Sequence, residues 1–416
     1  MKFVIAHPGQ QHSFRTATAL KQSGLLFKYI TTVYNRSGSW TSRILPFLSG
    51  LNLTKAKRRK CESLVDNEVV QFYELLALLV IFLSHFPRLL KIRDRLDLFV
   101  SRIFCKKVVK YAIKNRIDGI IVYDGTAKRY LDKLVKKLPH VIIIMDISIA
   151  ARPWMRNVFE QDMNAFNHNN FYQEDSTLWN KRIIKDIIND FSHCHYFLAA
   201  SSVVTRSLIY CDIKPRQIIL LPYGVDVEQF APVTHVSKSK KLTLIFVGQI
   251  NRRKGLHHLL QCARELREII NVILVGGINP LSDLYQEYKN DENITFTGFV
   301  DKDLLKEHYA NADVFVLPSL SEGLSLAGLE AMAFGMPILC SDNSGINDLV
   351  KDGVNGYVFQ TGNLTDLKKK IIWFVENKSQ CSLMGQHSRE IALNHTWGKY
   401  YTDFVNIINE IIENYK

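Results

Sequence analysis

The sequence predicts an α/β protein with two domains. Its 416 residues are enough for two domains of ordinary size, and 47% of them are hydrophobic against 22% charged, so the chain can bury a core. Short β-branched runs alternate with amphipathic segments of helix length along most of the chain. That alternation is typical of parallel sheets covered by helices.

The strand candidates form two sets, one in each half of the chain. The first set is 3–7, 27–33, 119–124, 141–147, 196–200 and 217–222. The second set is 242–248, 272–276, 294–298, 314–318, 337–341 and 356–359. Residues 229–241 lack an apolar period and end in a basic run, so we expect a linker there between domains of residues 1–228 and 242–394. Residues 395–416 have the apolar period of a helix.

Composition excludes several classes of protein. Seven scattered cysteines without a CxxC pair argue against a disulfide framework or a zinc ribbon and favour reduced, cytosolic thiols. The longest apolar run, residues 75–83, has nine residues, whereas a membrane-spanning helix needs about 20. The apolar run before His7 is too short for a secretory signal. We therefore expect a cytoplasmic protein without a membrane span.

The net charge of +13 is uneven. Residues 1–236 hold 34 Lys and Arg against 19 Asp and Glu, a net +15, and the remaining residues have a net −2. A basic half suits nucleic acid, an anionic membrane or an acidic substrate. Because its basic residues are dispersed without a recognition module, we expect no nucleic-acid binding.

The most informative segment is residues 314–359. After its first strand, a loop carries Glu322 and Gly323, and a helix that starts near Ser325 carries Glu330. In an open α/β sheet such a loop lies at the carboxyl ends of the strands, where ligands bind, and the helix start offers free N–H groups to a phosphate. Two carboxylates at this spacing can hold two parts of one ligand.

These residues resemble the retaining glycosyltransferases with the GT-B fold, specifically glycosyltransferase family 4. Glu322 and Glu330 match the E-x7-E signature of that family. Three further matches are LPYGVDVEQF (221–230), IFVGQINRRKGLHHLL (245–260) and NITFTGFVDKDLLKEHYANADVFVLPS (293–319). The resemblance covers residues 218–360. It implies two Rossmann-like domains facing an interdomain cleft and a C-terminal helix, 395–416, that crosses back to the first domain.

The resemblance also implies roles for the matched residues. Glu322 would face the donor sugar, and Arg253 with Lys254 would bind the diphosphate, where charge builds as the glycosidic bond breaks. Glu330 would accept hydrogen bonds from the ribose hydroxyls. The other implied donor-binding positions are Gly248, Gln249, Phe299, Val300, Gly323, Leu324, Ser325 and Leu326, of which Phe299 and Val300 would hold the base.

The sequence departs from the family pattern at three places. Gln249 stands where many members have Arg, SLAG (325–328) replaces a Pro-Phe-Gly pattern, and Ser344-Gly345 replaces Gly-Gly. These changes leave the identity of the donor open. Asp301-Lys302-Asp303 spells the D-x-D motif of a different transferase fold, but it precedes a helix and we interpret it as a helix cap.

Acceptor-side candidates lie in the first half. HPGQQHSF (7–14) joins the first strand to its helix at the ligand edge of the sheet, and it supplies the candidates His7, Gly9, Gln10, Gln11 and His12. An ordinary capped turn is the alternative. Asp146 takes the position of a catalytic His in the family and is expected to be catalytic, or else to cap Arg152. Asp124 ends the strand GIIVYD and is a similar candidate.

The resemblance implies retaining transfer from a nucleotide-diphosphate sugar to a glycan or lipid-linked acceptor, as in cell-surface polysaccharide or lipopolysaccharide synthesis. No metal and no cofactor are expected, because Arg253 and Lys254 would stabilise the leaving group. A nucleotide-sugar 2-epimerase of the same fold remains an alternative. A non-catalytic basic protein that binds membrane or nucleic acid is the other.

A basic and apolar insertion bears on location. It contains TKAKRRK (54–60), the apolar run 75–83 and RLLKIRDR (88–95). Polybasic segments beside an apolar helix attract anionic lipid, which favours peripheral binding at the inner face of the cytoplasmic membrane. The alternative is a buried helix beside a solvated basic run.

Overall fold

The computed structural model describes residues 1–10, 12–125, 130–166, 178–232 and 239–415, and they form two parallel sheets. The strands of the first sheet are β1 (Phe3–Ala6), β2 (Leu26–Thr31), β3 (Val69–Gln71), β4 (Gly119–Tyr123), β5 (Ile142–Ile147), β6 (Tyr196–Ala199) and β7 (Ile218–Leu220). Those of the second are β8 (Leu242–Val247), β9 (Ile270–Val275), β10 (Ile294–Gly298), β11 (Val314–Leu317), β12 (Ile338–Ser341) and β13 (Gly356–Phe359).

Helices cover both faces of each sheet. Those that precede β8 are α1 (Ser13–Gln22), α2 (Trp40–Ile44), α3 (Gly50–Lys57), α4 (Glu74–Leu83), α5 (Leu90–Asn115), α6 (Leu131–Lys137), α7 (Arg152–Phe166), α8 (Lys181–Phe191) and α9 (Ser202–Ile209). Those that follow it are α10 (Leu256–Glu265), α11 (Asp283–Tyr288), α12 (Lys302–Ala310), α13 (Leu326–Ala333), α14 (Leu364–Glu376), α15 (Cys381–Leu393) and α16 (Trp397–Tyr415).

The prediction of an α/β fold is confirmed, and each predicted strand is present. The central strands are buried throughout, as expected for parallel sheets covered on both sides, which explains their continuous apolar runs. The edge strand β3 was not among the predicted strands. It has three residues, and only Val69 is buried, so its apolar signal is short.

The strand orders place one crevice in each sheet. The first sheet runs β3-β2-β1-β4-β5-β6-β7 and the second β10-β9-β8-β11-β12-β13. In both, the order reverses beside the first strand, between β1 and β4 and between β8 and β11. Ligands of open α/β sheets bind outside the carboxyl ends of the strands at such reversals.

The chain returns to the first domain at its C-terminal helix. Tyr400 of α16 meets the Thr16 hydroxyl of α1 at 3.1 Å, and Arg15 donates to the Tyr401 hydroxyl at 2.9 Å. The Arg15 guanidinium also lies 4.7 Å from the ring centre of Trp397. Helix α16 therefore packs on the first domain after the second domain is complete. Of the predicted linker, residues 233–238 lie outside the described part of the chain.

Candidate functional site

A tight turn after β8 presents two cations at the switch point of the second sheet. The Asn251 side chain accepts a hydrogen bond from the Lys254 N–H at 3.2 Å and so closes the turn. Gly255 ends it with φ of 66°, and a Cβ there would lie 1.8 Å from the Pro318 carbonyl oxygen. Only glycine fits this close approach. The turn is therefore fixed against the end of β11, with Arg253 and Lys254 in it.

Both cations contact the Glu322 carboxylate. Arg253 Nη1 lies 3.2 Å from Glu322 Oε1, and Lys254 Nζ binds Oε2. Arg253 also donates to the Ser321 carbonyl oxygen at 3.2 Å. Burial, together with the neighbouring Arg253 charge, lowers the pKa of Lys254 well below its usual value, whereas the contacting Glu322 carboxylate favours its charged form. The result is a buried cluster in which two cations share one carboxylate.

Glu330 lies in the second turn of α13. The helix begins at the predicted position, where the Ser325 hydroxyl accepts from the Gly328 N–H at 3.1 Å. Burial raises the pKa of Glu330 to about 7, while the positive charges of Lys302 and Arg58 act against that rise. Arg58 belongs to the first domain and Lys302 to the second, so Glu330 faces cations from both sides of the cleft.

The remaining predicted donor positions lie around this turn and helix. Phe299, directly after β10, is 47% exposed, and Val300 packs against the core. Gly248 and Gln249 follow β8, with Gln249 exposed. Gly323, Leu324 and Ser325 are buried, and Leu326 is partly exposed.

The Asp301-Lys302-Asp303 motif caps α12. The Asp301 carboxylate accepts from the N–H groups of Asp303 and Leu304 at 3.1 and 3.0 Å. The cap interpretation of the D-x-D motif is confirmed.

Asp146 contacts His12 in the first domain. His12 Nε2 lies 2.7 Å from Asp146 Oδ2, and both side chains are buried. The His12 ring packs on Tyr223 with 4.3 Å between ring centres. The alternative in which Asp146 caps Arg152 is wrong. Arg152 instead acts on Asp124. Burial raises the pKa of Asp124 above its usual value, and the Arg152 cation opposes that rise.

The loop after β1 is held by its own polar groups. The Gly9 N–H donates to His7 Nδ1 at 2.8 Å, and the Gln10 side chain donates to the Arg58 carbonyl oxygen at 2.7 Å. Gln11 lies outside the described residues. His7 and Asp124 line one cavity of the first domain, whereas His12 and Asp146 form a separate pair.

That cavity has a volume of about 790 Å³ and opens at the carboxyl edge of the first sheet. Its walls carry both signs of charge, from Asp97, Arg102, Asp124, Arg152, Arg182, Asp186 and Asp190. Among these, the sequence pattern indicated only Asp124. The others come from α5, α7 and α8, and no local spacing shows that these helices meet.

A further buried cluster joins the two domains. Asp162 of α7 accepts from His257 Nε2 at 2.9 Å and from His258 Nε2 at 2.7 Å, both on the first turn of α10. The three ligand atoms lie within 4.8 Å of one another, as a metal site requires. However, metal-bound histidines usually donate their second ring N–H, and Nδ1 of His258 is buried without a hydrogen-bond partner. We interpret the cluster as a hydrogen-bonded interdomain junction.

The junction has a definite charge state. Burial lowers the pKa of His257 to about 3, so its imidazole is neutral at ordinary pH. Burial alone would raise the pKa of Asp162, but the hydrogen bonds from both histidines hold it below its usual range. An ionised carboxylate therefore accepts from two ring N–H groups. No local pattern predicts this contact, because Asp162 and His257 are 95 residues apart.

Other interdomain contacts lie close to the donor loop. The Ser201 hydroxyl donates to the Gly323 carbonyl oxygen at 2.5 Å, and the Ser202 N–H donates to Asp348 at 2.6 Å. A Cβ at Gly323 would lie 2.1 Å from the Ser148 carbonyl oxygen. The absence of a side chain at Gly323 thus allows the two domains to touch beside Glu322.

The family model described as "Glycosyl transferases group 1" matches residues 228–391. The second domain matches the glycosyl transferases group 1 family. Its matched region contains the cation turn, Glu322 and the whole of α13. The site residues described above in that domain therefore lie within the matched region.

Curated relatives carry related names. An uncharacterized glycosyltransferase of Methanocaldococcus jannaschii is 26% identical over 236 residues, covering 53% of this chain and 60% of that protein. A sulfoquinovosyl transferase of Arabidopsis thaliana is 28% identical, covering 48% and 41%. The putative colanic acid biosynthesis glycosyltransferase WcaL of Escherichia coli is 30% identical, covering 38% and 43%. The matched region spans about half the length of these relatives.

Solved structures match both domains. Sucrose-phosphate synthase from Thermosynechococcus elongatus has a TM-score of 0.67 at 15% identity, covering all of both chains. The Anabaena protein HepE in complex with UDP has a TM-score of 0.62 at 14% identity, covering 99% of this chain and 100% of that one. The chain has the GT-B fold, as predicted. The roles of individual site residues stay predictions.

Proposed function

We propose that this chain is a retaining glycosyltransferase of family 4. It would move a sugar from a nucleotide-diphosphate sugar to a glycan or lipid-linked acceptor, in cell-surface polysaccharide or lipopolysaccharide synthesis. One observation carries the proposal: Arg253, Lys254 and Glu322 form a buried charged cluster at the switch point of the second sheet, with Glu330 in the helix that follows. The group 1 family match over this domain supports it.

The donor residues have complementary tasks. Glu330 would accept hydrogen bonds from the two ribose hydroxyls, and the exposed Phe299 would contact the base. Arg253 and Lys254 would share their positive charge between Glu322 and the diphosphate. Glu322 holds both cations in place beforehand, and such preorganised charge stabilises a transition state without reorganisation during the reaction.

The reaction then needs little from the protein beyond position and charge. The acceptor hydroxyl oxygen forms a bond to the anomeric carbon on the face from which the diphosphate departs. The bond from that carbon to the diphosphate oxygen breaks, and the leaving phosphate oxygen takes the hydroxyl proton. Arg253 and Lys254 stabilise the charge that builds on the leaving group. We propose that they make a divalent metal unnecessary.

The acceptor would occupy the first domain. The cavity between β1, β4, α5 and α8 contains His7 and Asp124, two of the predicted acceptor-side residues. Its carboxylates suit sugar hydroxyls, and its arginines suit a phosphate or carboxylate on the acceptor. We also propose a cytoplasmic location at the inner face of the cytoplasmic membrane. Among the described residues, no helix is both long and apolar enough to cross a bilayer.

Thermal protection by nucleotides tests the donor site. We expect a nucleoside diphosphate or nucleotide sugar to raise the unfolding temperature of the wild type, because a ligand that binds only the folded state stabilises it. Glu330→Ala should lose that protection. Glu307→Ala, an exposed carboxylate on the neighbouring α12, is the matched control and should keep it. A panel without any protecting nucleotide would contradict the proposal.

Product analysis separates the proposed reaction from its alternatives. Proton NMR of the glycoside should show the same anomeric configuration as the donor sugar. An epimerase would release free nucleotide without any acceptor and leave the acceptor unmodified. A non-catalytic basic protein would show neither nucleotide release nor protection, and its binding to DNA would fall steeply with salt.

A further inference from the structure

Exposed apolar side chains are concentrated in one part of the first domain. In the described part of the chain, twelve of the twenty-five exposed large hydrophobic residues lie within residues 40–99. This segment is about one seventh of the sequence, so scattered surface exposure does not explain the concentration. The segment is the insertion that the sequence showed as both basic and apolar.

Helix α4 has apolar residues on two opposite faces. Ala77 is buried and packs with Val33 and Val100, which attaches the inner face to the domain. The outer face carries a stripe with helical spacing that is 42 to 58% exposed along α4 and just after it, Leu75, Leu79, Phe82 and Phe86. The alternative of a fully buried helix is therefore wrong, because only one face is covered.

Neighbouring elements extend this stripe into a surface. Glu74, at the start of α4, accepts from the N–H groups of Trp40 and Thr41 at 3.1 and 2.9 Å, which ties α2 to α4. Phe47, just after α2, is 87% exposed. We call the resulting surface the apolar face, and it consists of Trp40, Phe47, Leu75, Leu79, Phe82, Phe86, Ile92 and Phe99.

Exposed cations accompany the apolar face. Exposed basic residues lie in α2, just before α5 and in its first two turns, namely Arg43, Arg88, Lys91 and Arg95. The predicted basic run 54–60 contributes less than expected. Arg58 lies near Glu330, and Arg59 is half-buried with its pKa lowered by burial. The cations beside the apolar face are thus mainly those at the start of α5 and just before it.

The apolar face is continuous with the acceptor cavity. Phe99 belongs to both, and its neighbour Leu98 is also part of the cavity wall. The same cavity is lined by Arg102, Arg152 and Arg182, and also by four carboxylates, those of Asp97, Asp124, Asp186 and Asp190. A molecule that passes from the apolar face into the cavity therefore moves from hydrophobic side chains to a charged wall, where the guanidinium groups can bind a phosphate and the carboxylates can bind hydroxyls.

We propose that the apolar face lies in the headgroup region of an anionic bilayer and that a lipid with a phosphate headgroup enters the cavity from it. The second half of this proposal rests on the proposed transferase function. A ten-residue helix is too short to span a bilayer, but its outer side chains can lie among the acyl chains while flanking cations contact lipid phosphates. A second protein copy would cover the apolar residues but would not explain the cations beside them.

Vesicle flotation tests the surface. We expect the wild type to bind vesicles of phosphatidylcholine mixed with phosphatidylglycerol, and the double variant Leu79→Gln/Phe82→Gln to bind at least about tenfold more weakly. The matched control is Leu281→Gln/Leu383→Gln, which removes two exposed apolar residues of the second domain. It should bind like the wild type. Equal loss in both double variants, or no binding of the wild type at low salt, would overturn the proposal.

The contribution of the cations to vesicle binding can be measured separately. Arg88→Gln/Lys91→Gln/Arg95→Gln should weaken binding to the anionic vesicles, and added salt should then weaken binding less than it does in the wild type. Analytical ultracentrifugation shows whether a second copy of the chain, rather than a bilayer, covers the apolar face. A wild type that dimerises through this face, with a monomeric Leu79→Gln/Phe82→Gln variant, would show that a second copy covers it.

A separate variant tests whether the lipid headgroup enters the cavity. Arg102→Gln should keep vesicle binding but transfer less sugar to a lipid-phosphate acceptor, and unchanged transfer would overturn the route. Nucleotide protection of Leu79→Gln/Phe82→Gln should equal that of the wild type. Vesicle binding without any nucleotide protection would refute the transferase function and leave the lipid surface standing. Nucleotide protection without vesicle binding would refute the lipid surface and leave the transferase function standing.

Discussion

The two domains share one sheet topology but present their functional groups differently. In the second domain, Lys254 in the turn after β8 and Glu322 in the loop after β11 are buried against each other. In the first, the charged groups surround an open cavity, and large apolar side chains are exposed nearby. The net charges also differ, at −2 for residues 237–416 and +15 for residues 1–236.

This difference reflects the ligands that we propose. A nucleotide diphosphate offers the same ribose and phosphate groups in many enzymes, so a compact set of residues can serve it repeatedly. Acceptors vary in size, charge and attachment, so their site is built from helices and loops specific to one chain. The donor-binding half can therefore be recognised from sequence motifs, whereas the acceptor-binding half can be identified only from the way its helices and loops pack.

The largest expected effect tests the donor half. Glu330→Ala and Lys254→Ala should each lower kcat/KM by about 100-fold or more, because each removes a preorganised charge at the donor. Circular dichroism should show an intact fold. Lys289→Ala, an exposed lysine after α11, is the control for the second variant and should retain full activity. Unchanged turnover by both donor variants would remove the functional contrast between the domains.

The pH dependence of donor binding comes next. Glu330 has a pKa raised to about 7 by burial, so it is increasingly protonated as the pH falls below 7. If the ionised form accepts the ribose hydroxyls, KM for the donor should rise by up to about tenfold per pH unit below 7. Glu330→Gln should abolish this slope while raising KM at pH 8. A wild-type KM for the donor that does not change between pH 6 and 8 would contradict this role of Glu330.

The same pKa has a consequence for folding. Because the folded protein binds the Glu330 proton more tightly than the unfolded chain, ionisation of this carboxyl opposes folding as the pH rises from about 4.5 to 7. Glu330→Gln should therefore gain unfolding free energy relative to the wild type at pH 8 but not at pH 4. Urea unfolding at both values provides the measurement.

A smaller effect is expected at the interdomain junction. Asp162→Asn replaces one accepting oxygen by an amide that donates toward a ring N–H, so the domains should separate more readily. We expect donor KM to rise about fivefold with a smaller change in kcat, and the radius of gyration from X-ray scattering to increase. Asp132→Asn, an exposed carboxylate on α6, is the control. Equal kinetics in both variants would show that the junction does not position α10.

The smallest expected effect is that of metal removal. EDTA treatment should leave transfer within about twofold of the untreated rate, since Arg253 and Lys254 stabilise the diphosphate in this proposal. The measurement is the initial rate before and after chelation. A complete loss that only a divalent ion restores would assign the leaving-group charge to a metal instead.

The sequence predicted the regular parts of the molecule well. Buried parallel strands need apolar residues on both faces, so the runs at β4, β5 and β11 are visible without tertiary information. The start of α13 at Ser325 was also predictable, because its cap and the E-x7-E spacing are local. The fold and the donor loop therefore follow from neighbouring residues in the chain.

The contacts that the sequence did not predict connect distant segments. Asp146 lies beside Tyr123 in the sheet, and its side chain meets His12, whereas Arg152 acts on Asp124, directly after the neighbouring strand β4. Only the packing of α1 and α7 decides between these partners. The cations that flank the apolar face could not be distinguished from a solvated run for the same reason.

Helix α16 affects the order in which the protein can fold. Residues 397–415 leave the ribosome after the whole second domain, yet Tyr400 and Phe404 are buried in the same core as Phe3 of the first strand. During synthesis, α1 must therefore keep an unprotected face until the second domain has emerged. Of these two domains, the one that is synthesised first is therefore completed last. We expect chaperones to bind α1 until α16 has been synthesised.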